Sequence, residues 1–134
     1  MKIQPYLFFE GRCQEAIDFY RQVFGAEVKM VMPYKDSPVP TSVSPEAGDK
    51  IMHACLRIGE TDLLMSDGLC TGSPAFHGFS LSVSPADDAA AARVFAALAD
   101  GGVVNMPLTT TFFASSFGMV ADRFGLHWMV MVEG

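Results

Sequence analysis

Charge is what this 134-residue chain has least of. Only 18 % of its residues are charged, and its nine Lys and Arg are scattered and outnumbered by fifteen Asp and Glu, for a formal net charge of −6. A nucleic-acid-binding face needs clustered basic side chains to neutralise phosphates, so the composition argues against a nucleic-acid partner. No apolar run approaches the ~18 residues of a membrane-spanning helix, which argues against a membrane partner as well. The opening MKIQPYLFFEG has too short an apolar run for a secretory leader and lacks a small-residue cleavage site. Cysteine is scarce too. Cys13, Cys55 and Cys70 show no CxxC or zinc-knuckle spacing, and an odd, unstapled set reads as reduced thiols, each a small buried hydrophobe. The expectation is a soluble cytoplasmic domain whose partner is a small molecule or another protein.

Half of the residues are hydrophobic, which is ample material for a core. Ile3 to Phe9 reads as a first strand ended by Glu10-Gly11. Gln14 to Phe24 places Ala16, Ile17, Tyr20, Val23 and Phe24 on one helical stripe, and Gly25 stops it. Glu27 to Met32 is a second strand, followed by a long polar loop from Pro33 to Lys50 with four prolines. In the next strand, Ile51 to Ile58, alternation sets Met52, Ala54, Leu56 and Ile58 against His53, Cys55 and Arg57. A turn at Gly59-Glu60-Thr61 leads to Asp62–Ser66 as its hairpin partner, and Asp67 to Gly78 reads as a connection.

The pattern then starts again. Phe79 to Val83 is a strand, Asp87 or Ser84 is available to cap an alanine-rich helix over Ala89–Ala99, and Asp100-Gly101-Gly102 ends it. Val103-Val104 continues extended, Thr110–Phe113 runs on into Phe117–Val120, and Leu126–Val132 closes the chain. Phe19 and Gly25 correspond to Phe95 and Gly101 across the same six-residue gap. A period of about 75 residues is too long for a solenoid and points to a duplicated βαβββ unit. The expected class is α+β: one domain of two βαβββ modules, 1–67 and 78–134, joined by a linker at 68–77. Curved mixed sheets would carry their helices on the convex side. So small a module has little core of its own, so edge pairing between units, and a homodimer, are expected.

The closing stretch, FGMVADRFGLHWMVMV, is a hairpin signal, with Asp122 able to hydrogen-bond forward into the turn and Gly125 free to take positive φ. Together with PYLFFEGRCQEAIDFYRQVFGAEV and IMHACLRIGETDLLMSD, it resembles the vicinal oxygen chelate superfamily. That superfamily includes glyoxalase I, extradiol dioxygenases and bleomycin-resistance proteins. The nearer match is its PhnB-like branch, sometimes labelled a 3-demethylubiquinone 3-methyltransferase domain. The resemblance implies the glyoxalase/bleomycin-resistance/dioxygenase fold. It also implies His or Glu metal ligands at four strand positions, which here fall on Pro5 (or Gln4), Leu64 or Met65, Gly78 (with His77 beside it), and Met129. A divalent ion needs several N, O or S donors converging on one point, and these residues do not supply them. No metal and no cofactor is therefore expected. The glycines end helices or turn hairpins, which does not suit an S-adenosylmethionine loop, and no GxSxG elbow is present.

The candidate ligand-binding residues are His53, Arg57, Phe9, Ser80, Phe113, His127 and Met129, with Leu7, Leu64, Ser82 and Met131 completing an apolar, methionine-containing concavity. Such a lining suits a small apolar or aromatic ligand. Trp128, Phe79, Leu81 and Val83 are assigned to the helix-facing core. The leading reading is a small-molecule-binding protein without the usual metal site. The alternatives are a metal-dependent isomerase, lyase or dioxygenase with ligands relocated to His53, His77, His127 and Glu133, and an interaction domain whose concavity is filled by its own side chains.

Overall fold

The computed structural model describes residues 1–37 and 47–134, which form two compact units, Met1–Pro74 and Ala75–Gly134. The first contains β1 (Tyr6–Phe8), α1 (Cys13–Phe24), β2 (Glu27–Pro33), a 3-10 turn at Tyr34–Asp36, β3 (Ile51–Ile58) and β4 (Thr61–Ser66). The second contains β5 (Leu81–Val83), α2 (Asp88–Ala99), β6 (Val103–Thr109), β7 (Ala114–Ala121) and β8 (His127–Glu133). The centre of the expected Pro33–Lys50 loop lies outside the described residues.

Each unit is a βαβββ module with a four-stranded mixed sheet, in the order β1-β4-β3-β2 and β5-β8-β7-β6. The first strand of each pairs parallel with the last, and the remaining pairs are antiparallel. The duplication extends to irregularities, since β2 bulges between Val28 and Met30 and β6 between Val104 and Met106.

Local chemistry explains both helices. In α1 the stripe Cys13, Ala16, Ile17 and Tyr20 is buried, and the helix ends on Gly25 at φ 66°, whose N–H donates to the Arg21 carbonyl. In α2 the Asp87 carboxylate accepts the Ala90 N–H at 2.8 Å, a direct N-cap. Against these helices pack Leu7, Phe9, Ala54, Leu56, Leu63 and Met65 in the first unit, and Val120, Trp128 and Val130 in the second.

Three expectations need correction. β1 is shorter than Ile3–Phe9, and it presents Tyr6 and Phe8 on the open side of the sheet while burying Leu7 and Phe9. Thr110–Phe113 is a turn, held by Thr111, whose N–H donates to the Ala114 carbonyl and whose Oγ1 accepts the Ala114 N–H. Phe79 precedes β5 and is 44 % exposed, so it is not core. The units divide at Pro74/Ala75, inside the expected linker 68–77, and the start of that segment folds back onto the first unit. There the Cys70 N–H donates to the Asp67 carbonyl and the Leu69 N–H to the Glu10 carboxylate.

Candidate functional site

The first unit's helix-free sheet face is set by register. Tyr6, Leu64, Cys55 and Met30 stand opposite one another across all four strands. In the next row Phe8 is opposite Ser66, and His53 opposite Met32. Phe8 and Tyr6 are 51 % and 40 % exposed, large apolar surface left uncovered on a sheet face. Their rings form a row with His53, at centroid separations of 5.1 Å (Phe8–Tyr6) and 5.5 Å (Tyr6–His53). The Tyr6 hydroxyl lies 2.8 Å from His53 Nδ1.

Around this row sits a polar cluster. The Tyr34 hydroxyl donates to the Gly68 carbonyl, and Ser66 Oγ accepts the Gly68 N–H at 2.9 Å. Burial pushes the Tyr6 phenol up from its ordinary pKa, with Tyr34 and Cys13 adding to the effect and the Ser66 hydroxyl partly offsetting it. Burial does the same for Tyr34. Both phenols therefore stay protonated at neutral pH. Glu10 (φ 53°) and Cys70 (φ 57°) adopt left-handed backbone that non-glycine residues seldom take. Gly68 takes the same left-handed backbone at φ 56°, and a Cβ there would stand 2.6 Å from Glu10 Oε2, which could swing aside, and 3.1 Å from the Phe8 ring.

Beneath the face lies Asp67, 1 % exposed. Its Oδ1 accepts the N–H groups of Gly11 (2.9 Å) and Cys13 (2.8 Å), and its Oδ2 accepts the Ile51 N–H at 2.7 Å. One carboxylate thus caps α1 and ties it to β3. The N-terminus of α1 is occupied by this side chain, which removes it as a cradle for a ligand phosphate or carboxylate. The Cys13 thiol is pushed far up by burial and by Asp67, so it is inert as a nucleophile.

The candidate residues from the sequence divide between the units. His53 joins the aromatic row. Arg57 is held at the hairpin end, its Nη1 3.3 Å from Asp62 Oδ1 and its Nε donating to the Gly59 carbonyl at 3.2 Å. Phe9 is withdrawn as a ligand contact: it is fully buried on the helix side, its ring 6.2 Å from that of Tyr20. In the second unit Met129 sits between Met119 and Ser82 on the open face, and Met131 is opposite Phe117. Phe113 leans edge-on against Phe117 at 5.1 Å, His127 is half-buried opposite Ala121, and Ser80 lies just before β5. His77 is exposed before β5, and Glu133 ends β8. Among the described residues no three His, Cys, Asp or Glu side chains are grouped as a metal ion would need. On the helix side of the first unit, a groove of about 590 Å³ is lined by Gln14, Ile17, Arg21, Ala26, Glu27, Val28 and Val31.

Asp62 yields a pH prediction. Burial raises its pKa, but this is outweighed by Lys29 at 3.4 Å and by Arg57, leaving the carboxyl below its ordinary value. A depressed folded-state pKa stabilises above the unfolded value near 3.9, and that contribution is lost as pH falls through the folded pKa. The expected result is that Asp62→Asn is less stable than the parent at pH 7 and that the gap closes below about pH 4, read from urea midpoints across the range.

The duplicated βαβββ architecture, with its parallel outer strand in each sheet, is the glyoxalase/bleomycin-resistance fold of the vicinal oxygen chelate superfamily. Within it, the chain belongs to the family described as 3-demethylubiquinone-9 3-methyltransferase, whose model matches residues 1–131. It is 43 % identical to protein PA1353 of Pseudomonas aeruginosa, with a TM-score of 0.86 over 99 % of this chain and 98 % of that one. It is 27 % identical to a PhnB protein of Bacillus cereus, with a TM-score of 0.81 over 98 % and 99 % of the two chains. Protein YjdN of Escherichia coli K12 is 34 % identical over 98 % of this chain and 95 % of its own length. The positions that the resemblance assigns to the superfamily's metal ligands, Pro5 (or Gln4), Leu64 or Met65, Gly78 (with His77 beside it) and Met129, do not group the donors a divalent ion needs among the described residues.

Proposed function

We propose that this chain is a small-molecule-binding protein that takes a planar apolar or aromatic ligand on the first unit's open sheet face, without a resident metal. The observation that carries this reading is the ring row Phe8–Tyr6–His53, whose Phe8 and Tyr6 rings are exposed. An aromatic ligand gains from stacking on such rings beyond simple area burial. The apolar open-face residues Leu64 and Met30 of the same sheet are consistent with an apolar ligand. The family's methyl-transfer label draws no support from the α1 N-terminus, which Asp67 fills.

The protein works as a cytoplasmic homodimer in this reading. Exposed apolar residues on the edge strands β2 (Val28, Met30, Val31) and β6 (Val103, Val104, Met106) support association, and three free cysteines suit a reducing compartment. No helix among the described residues is long and apolar enough to cross a membrane.

Calorimetric titration of chelator-treated protein with 2-naphthoate tests the proposal. Saturable binding is expected, weakened about tenfold by Phe8→Ala, the scale of one lost aromatic contact. Binding that appears only after a divalent metal is restored would instead support a relocated metal site.

A further inference from the structure

The Tyr6–His53 pair restricts the ligand further, on the reading that the ligand occupies this face. Within the pair one proton lies between Tyr6 Oη and His53 Nδ1, 2.8 Å apart. Either the phenol donates it or the imidazole does. A neutral imidazole nitrogen is a stronger acceptor than a phenol oxygen, whose lone pair is delocalised into its ring. If the imidazole donated, the phenol hydrogen would have to turn elsewhere. The nearby hydroxyl is that of Ser66, which accepts the Gly68 N–H at 2.9 Å, directs its own hydrogen to the Ile51 carbonyl at 3.4 Å and keeps one lone pair that could take it. Tyr34 does not compete for His53, since its hydroxyl donates to the Gly68 carbonyl. Both arrangements leave every group partnered, and the stronger acceptor decides between them: phenol as donor and Nδ1 as acceptor. A neutral imidazole with Nδ1 engaged carries its hydrogen on Nε2 and has no second acceptor nitrogen.

We infer that Tyr6 locks His53 in the Nε2–H tautomer, so that the site offers a hydrogen-bond donor at the end of its aromatic row and selects aryl ligands bearing an oxygen acceptor. Tyr6 is then a positioning residue as well as a stacking surface. An aryl carbonyl or carboxylate satisfies the site, and an aryl group of the same shape without the oxygen does not.

Two measurements on the full chain test this. Long-range ¹H–¹⁵N spectra of histidine-labelled protein should show His53 with a pyridine-type Nδ1 and a pyrrole-type Nε2, and Tyr6→Phe should release that preference. The neutral pair 2-acetylnaphthalene and 2-ethylnaphthalene should differ up to about tenfold in affinity, the scale of one hydrogen bond, in favour of the ketone. Tyr6→Phe should narrow that ratio, and His53→Ala should abolish it. A pyrrole-type Nδ1 overturns the lock whatever binds. A locked His53 with equal affinities overturns the ligand preference. If neither compound binds this face, the ligand site itself falls and the preference with it, while the ¹⁵N signature still decides the tautomer.

Discussion

Replacing Asp67 with Ala is expected to destabilise the protein by about 4 kcal/mol, a large share of the ~5–15 kcal/mol that holds a domain folded. Three backbone N–H groups, from Gly11, Cys13 and Ile51, lose their acceptor at once. Buried unpaired donors cost about 1–3 kcal/mol each, and the total is less than their sum because the site relaxes. Asp67→Asn should recover little. Its amide oxygen can serve the Gly11 and Cys13 pair, but its –NH₂ then faces the Ile51 N–H, donor against donor. Urea unfolding of both variants checks this, with the midpoint falling sharply for each. A loss below about 1 kcal/mol for the alanine variant would show that these hydrogen bonds do not organise the unit.

The second large effect is at Asp122, 3 % exposed in the closing hairpin. Its Oδ1 accepts the N–H groups of Phe124 (2.9 Å) and Leu126 (3.1 Å), and its Oδ2 accepts Trp128 Nε1–H at 2.9 Å. The turn and the core tryptophan therefore share one carboxylate. Asp122→Ala is expected to cost about 3 kcal/mol and to change the tryptophan fluorescence, since Trp128 is the chain's single tryptophan. Trp128→Phe should cost less, because it removes one of the three donors along with its need for an acceptor, at the expense of some packing. A Trp128→Phe variant less stable than Asp122→Ala would place the hairpin's stability in ring packing and not in the carboxylate.

These two aspartates also show how far the sequence could be read. Asp122 was legible because its partners lie within six residues, inside a turn whose Asp and Gly announce it. Asp67 was assigned to a connection because a lone carboxylate among glycines reads as loop, and its partners are 16 to 56 residues away. The helices, β3 and the duplication were legible for the same local reasons as Asp122: a 3.6-residue stripe with caps, a long alternating run, and an order that repeats.

The site was harder to read. His53 falls on the open face by the alternation of β3, as expected. β1 offered no such guide, because Tyr-Leu-Phe-Phe is apolar at every position and period-two patterning cannot say which pair faces the helix. A slip of one residue exchanges Leu7 and Phe9 for Tyr6 and Phe8, which is the correction the structure makes. The hydroxyl of Tyr6 is the physical hint, since a phenol is more readily placed where its oxygen finds a partner. Tyr34 and Ser66 were out of reach of any local pattern, because their part in the cluster depends on contacts between distant segments.

On the proposed reading, the row Phe8–Tyr6–His53 is a metal-independent ligand site. The deciding experiment is amide and side-chain chemical-shift mapping of chelator-treated protein titrated with 2-naphthoate. Saturable shifts concentrated at Tyr6, Phe8, His53 and Leu64, unchanged by added zinc or manganese, are the expected result. Shifts centred on the groove between α1 and β2, or shifts that appear only with the metal, would contradict it.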